Sequence, residues 1–197
     1  YSTRRLCKTI PSYCTCKMQA GTLACGYTAS VKYNKEIGED MSSPRACQLL
    51  HVPEKELNQF AEIDPFNGFT LHGYISRRGD HSYGAMAIVA IDGVPCEQIV
   101  WATPKLHYPF DKYGKYNWPL IDELEIYEKL DGTNILAYSY EHKGKTYLTY
   151  KTRLSPVLKH SQFGDFLTLW KECLKKNPWV AQAVADNPDY NLSFELY

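Results

Sequence analysis

Lys129 is preceded by Glu128 and followed by Leu130, Asp131, Gly132, Thr133 and Asn134. This short run holds the residue types of a nucleophile and of the groups that would bind around it. A lysine amine attacks phosphorus only when deprotonated, so a nucleophilic lysine needs burial or nearby positive charge to lower its pKa. Gly132 lets the chain turn sharply and lets a phosphate or a ring approach the backbone. Asp131 can orient the amine, and Asn134, with a donor and an acceptor, can hold a ribose or a phosphate. Taken alone, Lys-x-Asp-Gly is also an ordinary hairpin turn, as the second Asp-Gly at positions 92 and 93 shows. What surrounds the run decides between the two.

The elements that would position it are mostly strands. Residues 124–129 read as a strand, Asp131-Gly132 as a turn, and residues 134–141 as the returning strand. His142-Lys143-Gly144-Lys145 turns the chain again into a strand at 146–151. Upstream, strands are expected at 68–76 and 84–91, and Asp92-Gly93 makes a hairpin into 95–103. Residues 104–119, rich in proline and aromatic rings, read as an ordered loop. Residues 12–33 form two short strands around Ala20-Gly21, residues 34–45 a polar loop ending in Ser42-Ser43-Pro44, and residues 53–63 a short helix with proline in its first turn. Phe163, Phe166, Leu167, Trp170, Cys173 and Leu174 recur three and four apart, which predicts an amphipathic helix. Asn177-Pro178 starts another, and residues 191–197 close as a strand. Antiparallel hairpins with a few flanking helices define an α+β protein.

Against this frame, the run at 128–134 resembles the first motif of the covalent nucleotidyltransferases, and within them of the ATP-dependent RNA ligases. DNA ligases and capping guanylyltransferases more often carry arginine where Asn134 stands. Tyr150-Lys151-Thr152-Arg153 sits where that family has a basic strand end, and Ser193-Phe194-Glu195-Leu196-Tyr197 looks like its third motif. Gly84-Ala85-Met86, Asp92-Gly93 and Pro104 to Phe110 resemble the lead-in of phage ligases that repair tRNA, with Tyr83 where those relatives carry arginine. The likeness spans roughly residues 83–197.

The resemblance implies an adenylation domain of the nucleotidyltransferase (ATP-grasp-like ligase) kind, and an RNA ligase that joins 5′-phosphate and 3′-hydroxyl ends in RNA repair. Lys129 would be the catalytic residue and form a lysyl-AMP. Glu128, Asp131, Gly132, Asn134, Lys151, Arg153 and Glu195 would bind the nucleotide: Glu128 at the adenine, Glu195 at the ribose, Lys151 and Arg153 at phosphates. The cofactors implied are ATP and Mg²⁺ (or Mn²⁺), with metal ligands unassigned. The partners implied are RNA ends, tRNA among them. The family's later motifs would lie beyond Tyr197, so the domain is expected to be truncated at its C-terminus. The competing readings are a DNA ligase, a GTP-using capping enzyme, or a non-catalytic RNA-binding module.

Composition bounds these readings. A chain of 197 residues with 44% hydrophobic side chains affords a substantial core. It divides into an N-terminal lobe of unknown role at 1–65 and a core carrying the lysine motif at 66–197. Net charge is zero, so a nucleic acid must be held by a local basic face. Residues 141–176 supply one, although it can equally be the wet side of the amphipathic helix. No run approaches the roughly 18 apolar residues of a membrane span, so no membrane partner is expected. With no signal peptide visible, an intracellular location, cytoplasmic or nuclear, is expected. The seven cysteines include Cys7, Cys14, Cys16 and Cys25, whose spacing lacks the CxxC pair of zinc modules; buried hairpin positions and a metal site both remain open.

Overall fold

A computed structural model describes residues 43–105, 108–116, 125, 128–129, 131–160 and 164–197. The expected strands at 12–33 and the cysteines Cys7, Cys14, Cys16 and Cys25 lie outside the described residues, as does most of the strand expected at 124–129.

Among the described residues, seven strands and three α-helices follow in order: α1 (Ser43–Leu50), β1 (Leu57–Ile63), β2 (Thr70–Ser76), β3 (Met86–Ile91), β4 (Val94–Val100), β5 (Thr133–His142), β6 (Lys145–Lys151), α2 (Phe166–Lys176), α3 (Trp179–Ala185) and β7 (Leu192–Leu196). They make a four-stranded sheet in the order β1-β2-β3-β4 and a three-stranded sheet in the order β6-β5-β7, antiparallel throughout. The protein is α+β with antiparallel sheets and few helices. None of the described helices is long and apolar enough to cross a membrane.

Alternation along the strands explains the layering. In β3 every residue is buried, because both of its faces are covered. Ala87 and Val89 pack with Ala46 and Leu50 of α1. Met86, Ile88 and Ile91 pack with Leu136, Tyr138 and Tyr140 of β5. The opposite face of β5, Ile135 and Ala137, meets Trp170 of α2 and Val180 and Val184 of α3. The order of layers is therefore helix, sheet, sheet, helix pair, with the main core between the sheets.

Polar pins cross that core. Asp64 is fully buried. Its carboxylate accepts from the Tyr140 hydroxyl at 2.7 Å, the Thr149 hydroxyl at 2.7 Å, the Asn67 amide at 2.8 Å and the Phe66 N–H at 3.0 Å. A buried carboxylate is tolerated only with such a set of donors. At the other edge, the Gln98 side chain donates to the Glu141 carbonyl at 2.8 Å and accepts from its N–H at 2.7 Å, tying β4 to β5.

Three sequence-based expectations are corrected. Residues 53–63 are a 3-10 turn at Glu54–Glu56 followed by strand β1, because Leu57–Ile63 finds a seven-residue register on β2, and that pairing overrides helical spacing. Ser43, Pro44 and Arg45 open α1 and are not loop; proline needs no N–H partner in a first turn. Glu125, Glu128 and Lys129, the described residues of the strand expected at 124–129, lie outside any strand. Residues 43–65 pack in the same sheet and core as residues 66–100.

Candidate functional site

The two sequence elements at 128–134 and 193–197 meet in space. β5 runs antiparallel to both of its neighbours, with Asn134 directly opposite Glu195, and Leu136 opposite Ser193 on one side and Lys151 on the other. Residues directly opposite share a face, and residues two apart along a strand share it too. Asn134, Glu195, Ser193 and Lys151 therefore lie on the face of Leu136, which packs in the core between the sheets. They stand at one end of the three-stranded sheet, where β5 begins and where β6 and β7 end.

Gly132 makes the first junction possible. A Cβ built there would lie 2.3 Å from the Leu196 carbonyl oxygen, so only glycine lets the start of β5 come this close to the end of β7. Asn134 and Glu195 are half-buried, while Glu128, Lys129, Asp131 and Gly132 are exposed at the approach to the strand.

The first sheet closes over this end. Gly84 adopts φ +81°, and a Cβ there would meet the Arg153 carbonyl oxygen at 2.3 Å. Lys151 fills the junction. Its side chain is fully buried, and its Nζ donates to the Gly84 and Arg153 carbonyls at 3.0 Å each. Burial, with the Arg153 charge adding to it, brings the Lys151 amine down to about 7. Lys151 thus ties β6 to the first sheet, and a phosphate reaches it only if one of those carbonyls gives way.

Arg153 is half-buried at the rim, its guanidinium 5.7 Å from the centre of the Tyr83 ring, and Lys105 Nζ lies 5.5 Å from the same centre. Two positive charges thus flank the Tyr83 ring. Beneath it, Asp80 Oδ1 accepts from the Ser82 hydroxyl at 2.7 Å and its N–H at 2.8 Å. The Ser82 hydroxyl is the main reason the Asp80 carboxyl titrates below its usual range, the positive charges of His81 and Arg78 contributing less. Arg78 pairs with Asp80 at 2.6 Å, which occupies it within its own loop. The first sheet also holds the strand bearing Glu195: the Thr103 and Ser193 hydroxyls are 2.5 Å apart, and Asn191 Nδ2 donates to the Trp101 carbonyl at 2.9 Å.

Asn134, Glu195, Lys151 and Arg153 are thus gathered at one sheet end, with Glu128, Lys129 and Asp131 on the chain leading into it. The inference from sequence passed over Tyr83 and Lys105 as site residues. Tyr83 stood out only as a replacement for arginine and Lys105 only as part of the 104–110 lead-in, since cation–ring geometry has no sequence period. Among the described residues no group of three or more His, Cys, Asp or Glu side chains could hold a metal ion. A resident metal is therefore not assigned to them.

No family model, no curated protein and no solved structure matches the chain. The functional reading therefore rests on the residues themselves.

Proposed function

We propose that this chain is the adenylation part of an ATP-dependent RNA ligase, with Lys129 as the residue that becomes adenylylated. The observation that carries the reading is the register of Asn134 opposite Glu195, on the same sheet face as Lys151. Elements 61 positions apart in sequence, singled out for their likeness to nucleotide-binding motifs, lie side by side, with Lys129 five residues before the first of them.

In this reading bound nucleotide covers the exposed Lys129, and its Nζ, once deprotonated, attacks the α-phosphorus of ATP. A P–N bond forms, the bond to the bridging oxygen of pyrophosphate breaks, and the amine loses a proton. The AMP then passes to an RNA 5′-phosphate, and the amine regains its proton. An RNA 3′-hydroxyl next attacks that phosphate and expels AMP. Glu195 and Asn134 hold the ribose side, Glu128 borders the base, and Arg153 faces the phosphates from the rim. Asp131 orients the amine, and Lys151 holds the Gly84 and Arg153 backbone segments together beside the phosphates. A divalent ion arriving with the nucleotide would offset phosphate charge.

The test is the intact mass of the full-length protein after incubation with ATP and Mg²⁺. The expected result is a gain of one AMP, stable to acid, lost in Lys129→Ala and not replaced by GMP when GTP is offered. An adduct that survives in Lys129→Ala moves the nucleophile elsewhere; GMP in preference to AMP favours a capping enzyme. Exposure of Lys129 also suits a module that binds RNA without covalent chemistry, and RNA binding with no adduct would select that reading.

A further inference from the structure

The segment leaving β4 carries a feature that the nucleotide site does not use. Phe110 and Tyr116 pair across a bridge, their ring centres 5.9 Å apart in an edge-to-face arrangement. Between them the chain turns on Asp111, whose Oδ1 accepts from the Tyr113 N–H at 2.8 Å and the Lys115 N–H at 2.9 Å. The Asp111 N–H in turn donates to the Lys115 carbonyl at 2.9 Å. This small hairpin is built by its own hydrogen bonds, yet it turns its rings outward. Tyr108 is 84% exposed and Tyr113 81%, and Phe110 and Tyr116 are each more than half exposed. Lys112 Nζ sits 4.8 Å from the centre of the Tyr113 ring, and Lys115 is exposed beside it.

Four exposed rings in nine residues are costly in water unless something covers them. We propose that this hairpin, residues 108–116, is a stacking platform for a single-stranded RNA, with Tyr108 and Tyr113 under bases and Lys112 and Lys115 on phosphates. Three features favour a nucleic-acid strand. Flat rings alternate with lysines, as stacking bases alternate with phosphates along a strand. The one acidic side chain, Asp111, is engaged in the turn. The platform is also continuous with the site: Lys105, three residues before Tyr108, stands against Tyr83 and Arg153's neighbourhood, and three residues span at most about 11 Å. A strand lying on the rings would be led towards the basic rim. The choice of RNA over DNA rests on the proposed ligase reading; the platform itself does not depend on Lys129.

The experiment is fluorescence anisotropy of a labelled 12-nucleotide single-stranded RNA, read at several salt concentrations, beside the AMP adduct measured on the same preparations. The unaltered protein is expected to bind. Tyr108→Ala with Tyr113→Ala should weaken binding by about tenfold or more while leaving the salt dependence unchanged. Lys112→Ala with Lys115→Ala should weaken binding and flatten the slope of log affinity against log salt by about 1.4. Both double variants should keep the thermal midpoint and the yield of AMP adduct, because the hairpin is exposed and outside the nucleotide site. Absence of RNA binding, binding unaffected by either pair, or capture of anionic lipid vesicles in place of RNA would overturn the platform. RNA binding that responds to both pairs while no AMP adduct forms would overturn the ligase reading and leave the platform standing.

Discussion

At the scale of single residues, two lysines divide the chemistry. Lys129 is exposed on the approach to β5, and Lys151 is buried against two carbonyls. Lys151 leaves a signature in stability. Its folded pKa, about 7, lies below the ordinary lysine value of 10.5. Between those two pH values the unfolded chain holds more protons than the folded one, so stability rises with pH across that window and is lost as pH falls back towards 7. The full effect is on the order of 5 kcal/mol. Tyr150 acts in the opposite sense: burial raises its hydroxyl to about 12, so its contribution is intact below pH 10 and is lost as pH climbs beyond that. Thermal midpoints should therefore climb from pH 7 towards 10 and then decline. In Lys151→Met the climb should flatten while the decline remains. A wild-type midpoint that is flat between pH 7 and 10 would show that Lys151 is not held as described. Gly84 marks the other half of the contact. Gly84→Ala has to place a Cβ on the Arg153 carbonyl at a positive φ, which should cost ~2–4 kcal/mol in denaturant unfolding.

At the scale of elements, the site is a matter of register. Asn134 and Glu195 can act together only because β7 pairs with β5, and that pairing needs the close approach at Gly132. Gly132→Ala should separate the end of β7 from β5 and abolish the AMP adduct while the helix content by circular dichroism stays near that of the parent protein. Asn134→Ala and Glu195→Ala should each reduce adduct formation, and the double variant should fall short of the product of the two by a coupling of ~1 kcal/mol or more. Strict additivity would mean that the two side chains do not share a ligand. This is also where the sequence was informative and where it was not. The hairpins at Asp92-Gly93 and Lys143-Gly144 were legible because their second position takes a positive φ that calls for glycine. β5, β6, β7 and α2 were legible from period alone. β1 was not, since Leu57, Phe60 and Ala61 have helical spacing and only the partner strand β2, not yet in view, makes them a strand. Lys151 could be read as a basic strand end, but its burial could not: that depends on Gly84, sixty-seven positions away.

At the scale of the whole molecule, the site belongs to neither sheet. Gly84, Tyr83 and Lys105 come from the first sheet and its extensions, Lys151, Arg153, Asn134 and Glu195 from the second. The same is true of the core, where Met86 and Ile88 share one apolar cluster with Leu136 and Tyr138, and of the Asp64 pin to Tyr140 and Thr149. A domain whose sheets share a core should unfold as one unit. Trp101 reports on the first sheet, and Trp170 and Trp179 on the helices behind the second. Substituting Trp101 and Trp118 together, or Trp118, Trp170 and Trp179 together, gives proteins whose fluorescence follows one sheet at a time in urea. Both should give the same transition when each is compared with its own far-ultraviolet circular dichroism. Adding Asp64→Ala, which strips the Tyr140 and Thr149 hydroxyls of their buried acceptor, should move both probes down together by ~3 kcal/mol. If Trp101 keeps its midpoint while Trp170 and Trp179 shift, the two sheets are separate folding units joined only at the surface. AMP adduct formation should then vanish with the first of them to go, because neither sheet alone holds the Lys151 amine between its two carbonyls.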